Sequence, residues 1–354
     1  FNTSTKEVEV EAGVNMGDLL KYLSKYSRTF PIGLSGLTGL GYILTGGISP
    51  ISRNNGLAVD QIQAFKGVWG NGERFEISKP NNNSNQIEKS KWRGLCGAAP
   101  FLGIITCIKL KTIKVNPLNI YEGFISPNDL TEYICQAEEW PNNITLQWIW
   151  GEKIKVFIVN EINYDYNNYE VSNLIKQLPK GLSLRKLRID SLFNIPPFSL
   201  PINGDLNTVR THSEVLGLLG GSWNSDCKQT INTLIKLMKK RPNKYCYIAS
   251  QQLGREVSFA SNGKTSFVHR EAIWKPWING SWEAGEAGER KKSLLWVKEV
   301  WENLESICPG IHMAQLHTHL LWHKEEAKKA FKDWLPGLKQ LKSEYDPNII
   351  LPPL

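Results

Sequence analysis

The chain of 354 residues contains few cysteines, and none of them forms a C-x-x-C pair. This spacing argues against a disulfide framework and against a cysteine-ligated zinc site. We therefore expect reduced, mostly buried thiols, as in a cytosol-like compartment. The six cysteines stand at positions 96, 107, 135, 227, 246 and 308.

Long apolar runs are absent as well. No segment reaches the roughly 20 apolar residues that a membrane-spanning helix requires. No signal peptide is visible, so we predict a cytoplasmic protein without a membrane partner. The chain begins at Phe1 rather than at methionine. We therefore expect the natural N-terminus, with any targeting segment, to lie outside this sequence.

Several common catalytic motifs are also missing, namely the Walker P-loop, G-x-S-x-G and H-E-x-x-H. The net charge of +8, from 42 basic and 34 acidic residues, favours anionic ligands without requiring nucleic acid. The longest basic runs, 239–241 and 290–292, lie at predicted helix ends, where cations suit the helix dipole. Because no platform of aromatic and basic residues is visible, we predict no nucleic-acid partner.

Glycine is concentrated in one stretch, residues 31–60, which we call the glycine segment. It holds seven glycines and no charged residue before Arg53. Glycine costs backbone entropy, so this density needs a physical reason. One reason is close approach of main-chain N–H groups to a phosphate or a polar ring edge. The other is a set of tight turns and bulges between short buried strands.

The composition of the chain changes near residue 117. After this point glycine becomes sparse and predicted strands alternate with predicted amphipathic helices. The length favours two or three domains, and the mixture of elements favours the α+β class. We predict a strand over 6–11, a short helix after Asn15, and hairpins turning at 70–72 and at Gly151. Further predicted strands cover 104–114, 245–250, 256–259 and 266–274. Predicted helices cover 225–238, 293–307 and 325–341, the last with a kink at Pro336. Residues 282–288 are predicted to form a loop.

Four separated pieces resemble the FAD-binding domain of the vanillyl-alcohol-oxidase or p-cresol-methylhydroxylase (PCMH) type. VEVEAGVNMGDLLKYL (8–23) is similar to the family's strand, turn and helix, and PIGLSGLTGLGYILTGGISPISRNNGLAVDQI (31–62) to its flavin-contacting loop. LCGAAPFLGIIT (95–106) is similar to its second glycine-rich segment. LKSEYDPNII (341–350) is similar to its closing K-x-x-Y-D-P-x-N type end. The nearer resemblance is to FAD-linked oxidases similar to berberine-bridge enzymes.

The resemblance implies an architecture. Residues 1–116 correspond to the second subdomain of a PCMH-type FAD-binding domain, and 117–324 to an antiparallel-sheet substrate domain flanked by helices. Residues 325–354 correspond to a C-terminal segment that returns to the FAD domain. Between 117 and 324 the likeness is thin, and only FVHR (267–270) is similar to the family.

The resemblance also implies FAD as the cofactor, held largely by main-chain groups of the glycine segment. The matching positions are Pro31, Gly33, Thr38, Gly39, Gly41, Gly46 and Gly47. On the adenosine side the matching positions are Gly56, Asp60, Gly103 and Ile104. For Gly56 a plain turn, and for Asp60 a turn or cap, are equally reasonable roles.

The chain departs from the family pattern at several points. The family domain begins with another subdomain, which carries a glycine-rich pyrophosphate loop and, in many members, a histidine bonded to the flavin. Nothing here matches it, so we expect the FAD domain to be incomplete at its N-terminus. Ser35 stands where some relatives have a cysteine link, which favours noncovalent FAD within this chain. Ala98 and Ala99 replace glycines, and each added Cβ narrows the space for a ligand.

Candidate catalytic residues are few. His269 and Arg270 lie on a predicted strand, where Arg270 either holds an anionic substrate or forms a structural ion pair. Tyr345 and His269 are the candidates for a catalytic base.

The H-x-H pair His317 and His319, followed by His323, is a spacing that some metal sites use when it lies on a strand. No acidic partner stands at a helpful spacing, so we predict no metal site. The tryptophans 274, 277 and 282 either line a pocket or anchor loops.

Two functions from different classes follow. The first is an FAD-dependent oxidoreductase that takes a hydride from a small alcohol, sugar or related C–H substrate, with FAD supplying the redox chemistry. The alternative is a degenerate family member that no longer binds flavin and acts as a binding or scaffold protein. A nucleotide-binding module without redox chemistry has only the glycines in its favour. The sequence does not reveal the substrate, the electron acceptor or the oligomeric state.

Overall fold

The structure, a computed structural model, describes the chain except for residues 34, 163–167, 180–183, 197, 199–209 and 260–262. The described strands form a four-stranded sheet, an eight-stranded sheet and a two-stranded ribbon. Every strand pair in them is antiparallel. The observed mixture of antiparallel sheets and helices confirms the predicted α+β class.

The four-stranded sheet has the order β1-β5-β3-β4, and the ribbon pairs β2 with β6. These strands are β1 (Glu7–Glu11), β2 (Arg28–Thr29), β3 (Ile62–Trp69), β4 (Arg74–Ser78), β5 (Gly103–Lys111) and β6 (Ile113–Lys114). In β1 the glutamates of EVEVE face solvent, whereas Val8 and Val10 are buried. The predicted β3–β4 hairpin is confirmed, with Gly72 at a positive φ of 90° in its turn.

Four helices accompany this sheet: α1 (Met16–Ser24), α2 (Leu40–Leu44), α3 (Ser52–Asn55) and α4 (Gln86–Ala98). The Asn15 side chain accepts a hydrogen bond from the Asp18 N–H and so caps α1, because the first N–H groups of a helix have no partner within it. Gly97, at a φ of 118°, breaks the regular helix near the end of α4.

The eight-stranded sheet has the order β10-β7-β9-β8-β12-β13-β11-β14. Its strands are β7 (Leu118–Ile125), β8 (Ile144–Trp150), β9 (Ile154–Glu161), β10 (Arg185–Ile189), β11 (Thr211–Leu219), β12 (Tyr247–Gln252), β13 (Trp274–Glu283) and β14 (Gly310–Ile311). The predicted hairpin at Gly151 is confirmed by the β8–β9 pairing. Strand β8 is buried along its whole length, as expected for a strand covered on both faces.

The remaining helices are α5 (Pro127–Glu138), α6 (Asn168–Gln177), α7 (Cys227–Lys239), α8 (Glu256–Phe259), α9 (Ala287–Leu304), α10 (His323–Phe331) and α11 (Leu335–Tyr345). Short 3₁₀ helices cover Ala58–Gln61, Ala99–Phe101, Leu192–Asn194, Met313–Gln315 and Lys332–Trp334. No helix in the described part of the chain is long and apolar enough to cross a membrane.

The two faces of the eight-stranded sheet meet different parts of the molecule. On one face the Trp274 indole donates to Glu138 of α5 over 2.7 Å, and α9 packs on β13. On the other face Thr145 donates to the Pro50 carbonyl over 2.6 Å. The buried Arg53 guanidinium also reaches across to the carbonyl of Ile144, at 2.6 Å. The glycine segment therefore lies against the second face of the sheet.

Two predicted strands are wrong. Residues 256–259 form the single helical turn α8, because Gly254 and Arg255 both take positive φ and reverse the chain before it. Residues 266–273 are irregular, and β13 begins only at Trp274. In this stretch the Phe267 carbonyl accepts from the Arg270 guanidinium instead of from a neighbouring strand.

The C-terminal half differs from the prediction at three further points. The predicted helix 325–341 is two helices, and Pro336 lies in the first turn of α11, where a missing N–H costs nothing. Of the predicted loop 282–288, only 284–286 joins β13 to α9. The H-x-H pair does not lie on a strand, because the His317 N–H donates to the Glu326 side chain rather than to a neighbouring strand.

Candidate functional site

A cavity of about 520 Å³ lies where the glycine segment faces the eight-stranded sheet. Its volume falls within the range of small-molecule sites in proteins. Three groups of residues form its walls: Gly33 and the loop 35–38 with Tyr42, apolar residues that follow β10, and side chains of β12 and β13. The lining residues are Gly17, Leu20, Gly33, Ser35, Gly36, Leu37, Thr38, Tyr42, Leu192, Phe193, Ile195, Phe198, Gln251, Lys275 and Trp277.

The loop wall is fastened to helix α1 by main-chain hydrogen bonds. The Met16 N–H donates to the Thr38 carbonyl and the Gly17 N–H to the Gly36 carbonyl, each over 2.8 Å. A Cβ on Gly17 would lie 3.1 Å from the Gly36 oxygen, so glycine permits this close approach. The loop is therefore held rigidly at its base, while Leu37 at its tip is 91% exposed.

The sheet wall carries polar side chains on buried strands. Gln251 of β12 is paired in register with Lys275 of β13, so the two side chains share one face of the sheet. Both are 4% exposed. The Lys275 ammonium lies 4.7 Å from the centroid of the Trp277 ring, as in a cation–π contact. The structure thus places a buried cation and a buried amide side by side at the cavity.

Lys275 has no carboxylate partner and no hydrogen-bond acceptor within the described ranges. Burial therefore acts on its charge without compensation and lowers the pKa of Lys275 to about 7. A lysine with this pKa is substantially neutral near pH 7 and can take up a proton. This is the strongest departure from ordinary side-chain chemistry among the residues that line the cavity.

His312 lies behind this wall and is fully buried. Neither of its ring nitrogens has a hydrogen-bond partner in good geometry, and a Cβ on Gly46 would lie 3.3 Å from its Nε2 atom. Burial, reinforced by the positive charge of Lys275, holds the pKa of His312 well below its usual range. His312 is therefore a neutral imidazole between the glycine segment and the sheet.

The predicted cofactor positions fall into separate places. Gly33 and Thr38 line the cavity, and so does Ser35. Pro31 is buried just before the loop, whereas Gly39 and Gly41 are exposed beside it. A Cβ on either of these two glycines would meet no atom within 4 Å, so their main chain is openly accessible.

Gly46 and Gly47 are buried in the protein interior. Both have positive φ, at 131° and 71°, a region that favours glycine. A Cβ on Gly47 would lie 2.4 Å from the Cβ of Ala58, and one on Gly46 would lie 3.0 Å from the Phe267 ring. Their carbonyls accept from the N–H groups of Ala58 and Val59. Close packing of protein atoms accounts for these two glycines, and contact with a ligand stays a prediction.

Asp60 and Arg270 form a bidentate ion pair with two contacts of 2.8 Å. Arg270 is 2% exposed, and Asp60 also accepts from the Leu57 N–H. The ion-pair alternative that we considered for Arg270 is thus the one observed. The pair lies on the wall of a second cavity of about 760 Å³. Gly56 ends α3 with a φ of 74°, as a turn glycine would.

The other predicted site residues lie away from the cavity lining. His269 Nε2 donates to the Lys329 carbonyl over 2.7 Å, and burial lowers the pKa of His269 to about 4. Tyr345 stacks on Trp69 with ring centroids 4.4 Å apart. Gly103 and Ile104 begin β5, where Ile104 is 64% exposed. The roles predicted for these four residues stay predictions.

The histidines near the C-terminus have carboxylate partners that the sequence spacing did not suggest. His317 Nδ1 lies 2.6 Å from Glu326, and His319 Nε2 lies 2.8 Å from Glu214. Across the described ranges, no group of three or more His, Cys, Asp or Glu side chains suits a metal ion. His317 and His319 therefore form hydrogen bonds with carboxylates, in a buried pair and in a more exposed pair.

Sequence reasoning missed Lys275, Gln251 and His312. A signal existed for Lys275, since it interrupts the apolar run AIWKPWI. An apolar run of this kind is typical of a buried strand, and lysine is almost never fully buried unless it is paired. No comparable signal marked Gln251 or His312. Only the sheet register and the packing of the glycine segment bring these residues to one place.

Comparison with known proteins gives a consistent picture. A family model described as an FAD binding domain matches residues 1–78. An uncharacterised FAD-linked oxidoreductase of Bacillus subtilis is 19% identical over 100% of this chain and 79% of its own length. An FAD-linked oxidoreductase of Dictyostelium discoideum is 36% identical over 35% of this chain and 26% of its own length.

Solved structures share the fold over almost the whole chain. The berberine-bridge-enzyme-like protein 1 of Physcomitrella patens superposes with a TM-score of 0.81 at 17% identity, covering 99% of this chain and 77% of that one. Xylooligosaccharide oxidase of Myceliophthora thermophila, solved with xylobiose, gives 0.77 at 18% identity, covering 99% and 78%. The predicted resemblance to FAD-linked oxidases similar to berberine-bridge enzymes is confirmed, and FAD is the cofactor that the matches support.

Proposed function

We propose that this FAD-linked oxidoreductase, with its berberine-bridge-like fold, oxidises a small alcohol or sugar by hydride transfer in the cavity at Lys275. The observation that carries the proposal is a buried lysine, without a charged partner among the described residues and with a pKa of about 7, that faces a cavity of about 520 Å³. A scaffold protein has no need for an uncompensated cation in its interior, since burying one is costly. The degenerate alternative is therefore not favoured.

The residues around the cavity fit a flat ring system with polar edges. Gly33 and the loop 35–38 offer main chain, and Tyr42 and Trp277 offer aromatic surface. The open approach to the main chain at Gly39 and Gly41 leaves room for close contact. We propose that these residues hold the flavin ring noncovalently, and that Lys275 and Gln251 face the substrate.

The chemistry assigns each group a task. The chemistry that FAD would supply when bound is that of a hydride acceptor for the substrate carbon. The neutral Lys275 Nζ accepts the hydroxyl proton as the C–OH group becomes a carbonyl, so that two electrons and one proton leave with the hydride and one proton goes to the lysine. A base with a pKa near the working pH is the efficient choice. The Gln251 amide orients the hydroxyl, and the apolar wall of Phe193 and Phe198 keeps water away from it.

The substrate class is supported by the polar side chains that line the cavity and by a structural neighbour. Xylooligosaccharide oxidase was solved with xylobiose, and a sugar presents the hydroxyl-bearing carbons that Lys275 and Gln251 suit.

We also retain, as proposals, a boundary between the two main domains at 116/117, a C-terminal segment over 325–354 and a cytoplasmic location. The four-stranded sheet ends before that boundary and the eight-stranded sheet begins after it, which supports the division.

The test uses the full-length natural protein and its visible spectrum. We expect a flavin spectrum that acid precipitation releases into the supernatant, and anaerobic bleaching of this spectrum by at least one sugar or alcohol from a panel. The K275M variant should keep the flavin spectrum and bleach far more slowly. A colourless protein that takes up no added FAD would overturn the proposal, and so would a K275M variant that bleaches at the wild-type rate.

A further inference from the structure

Two of the six cysteines differ from the others in their surroundings. Cys135 lies in the last turns of α5 and Cys227 opens α7, and these two helices pack against each other. The Cys227 Sγ lies 3.6 Å from the Thr131 carbonyl, one turn before Cys135 on the same helix. The Cys135 and Cys227 side chains line one surface cavity, and Cys135 adds to the effect of burial in raising the pKa of the Cys227 thiol. Two free thiols thus meet at one helix–helix contact.

The two thiols also border open space. A surface cavity of about 640 Å³ is lined by Cys135 and Cys227 together with Thr131 and the first turns of α7. Cys135 is half-buried, whereas Cys227 is 2% exposed. A small oxidant can therefore reach Cys135, while Cys227 is sheltered directly behind it.

The remaining cysteines lack this arrangement. Cys246 bonds to Ser293 and Cys107 lies near Glu9. Cys96 and Cys308 are fully buried, and burial raises the pKa of both thiols, as it does for the sheltered Cys227. A buried, protonated thiol reacts slowly with oxidants. Among the six cysteines, only the pair on α5 and α7 combines a thiol that an oxidant can reach with a second thiol on the same cavity wall.

We propose that Cys135 and Cys227 form a reversible disulfide when the protein meets hydrogen peroxide. The Cys135 sulfur attacks the peroxide, breaking its O–O bond, and becomes a sulfenic acid as one water leaves. The Cys227 sulfur then attacks the Cys135 sulfur, forming the S–S bond and releasing the second water. Two thiols are oxidised by two electrons and one peroxide is reduced to two waters, so atoms and electrons balance.

The disulfide would hold α5 and α7 together, and α5 contacts the eight-stranded sheet. Glu138, one turn beyond Cys135, accepts from the Trp223 N–H and from the Trp274 indole, each over 2.7 Å. Trp274 stands next to Lys275 in β13. A covalent bond between α5 and α7 therefore constrains the support beneath this strand. Because it also closes a long loop, we expect a rise in Tm on the order of 5 °C.

The experiment treats the reduced full-length protein with a small excess of hydrogen peroxide, followed by thiol counting and non-reducing peptide mapping. We expect the loss of two free thiols per chain, a linked peptide pair containing Cys135 and Cys227, and recovery of both thiols with dithiothreitol. This outcome does not depend on the proposed flavin chemistry, since the oxidant is added.

Matched variants separate the pair from general oxidation. In C227S the Cys135 sulfur has no partner, so we expect it to proceed to sulfinic acid at least tenfold faster than in the wild type. The C246S control should behave as the wild type does. The proposal is overturned if the wild-type map shows no Cys135–Cys227 peptide. Equal rates of sulfinic acid formation in wild type and C227S would overturn it too. The peptide map of the oxidised wild-type protein tests for the Cys135–Cys227 disulfide even if a variant misfolds.

Discussion

Lys66 on the four-stranded sheet and Lys275 on the eight-stranded sheet are the same residue in opposite circumstances. The Lys66 side chain is 44% exposed and lies 3.1 Å from Glu9 and 3.7 Å from Glu76. These carboxylates raise the pKa of Lys66. Lys275 is 4% exposed and has no carboxylate partner in the part of the chain that the structure describes, and burial lowers its pKa to about 7. A solvated sheet face stabilises a charge, whereas a buried face converts the same side chain into a base.

The contrast teaches where to look for chemistry in this fold. Charged residues on the open face of the four-stranded sheet are numerous, but their pairs are screened by water. On the covered face of the eight-stranded sheet, Gln147 Oε1 has no hydrogen-bond partner among the described residues, and neither ring nitrogen of His312, just after β14, has one. Unpaired polar groups inside a protein are costly, so they mark the site better than the number of charges does.

The largest expected effect is that of K275M on turnover. Removal of the amine leaves no group at this wall to accept the hydroxyl proton, so we expect kcat to fall about 10²–10⁴-fold. The measurement is the anaerobic rate of flavin bleaching, with Tm recorded in parallel. K66M is the matched control and should leave kcat unchanged. A loss of less than tenfold in K275M would contradict the assignment of Lys275 as the base.

Breaking the Asp60–Arg270 pair tests the difference between a partnered and an unpartnered buried cation. R270M leaves the Asp60 carboxylate without its bidentate partner, so we expect a loss of about 3–5 kcal/mol in the free energy of unfolding. Urea denaturation measures this loss. The D60N/R270M double variant should recover part of it, because no charge is then left unpaired. A double variant less stable than R270M would show that the pair contributes mainly through packing.

The pH dependence of stability reports directly on Lys275. In the unfolded chain lysine has a pKa near 10.4, and in the folded chain Lys275 has a pKa of about 7. Between these values the unfolded state binds more protons, so stability rises with pH. From pH 7.5 to 9.5 we expect Lys275 to add a slope approaching about 1.4 kcal/mol per pH unit. Urea titrations at several pH values should show this slope in the wild type and lack it in K275M.

The smallest effect is expected for Lys66 itself. K66M removes an exposed ion pair with Glu9 and Glu76, so Tm should stay within about 1 °C of the wild type. Thermal scans at low and high salt provide the measurement. A shift of several degrees that disappears in high salt would show that the open sheet face is more tightly coupled than its exposure indicates.

Local elements with strong periodicity or turn chemistry were predictable. The β3–β4 and β8–β9 hairpins and the Asn15 cap follow from patterns within a few residues. Residues 256–259 and 266–273 were not predicted correctly. Their conformation depends on the reversal at Gly254 and Arg255 and on contacts of Arg270 and Phe267 with distant parts of the chain. Such contacts leave no mark on local sequence.

The amino-acid sequence by itself determined the α+β class, the family resemblance and the glycine segment, because each of these is written in composition and in short-range spacing. Tertiary structure alone decided which residues meet at the cavity. Lys275 acquires its chemistry from desolvation, which depends on how the glycine segment packs on the sheet. A side chain's pKa belongs to its surroundings, and those surroundings are assembled from residues far apart in the chain.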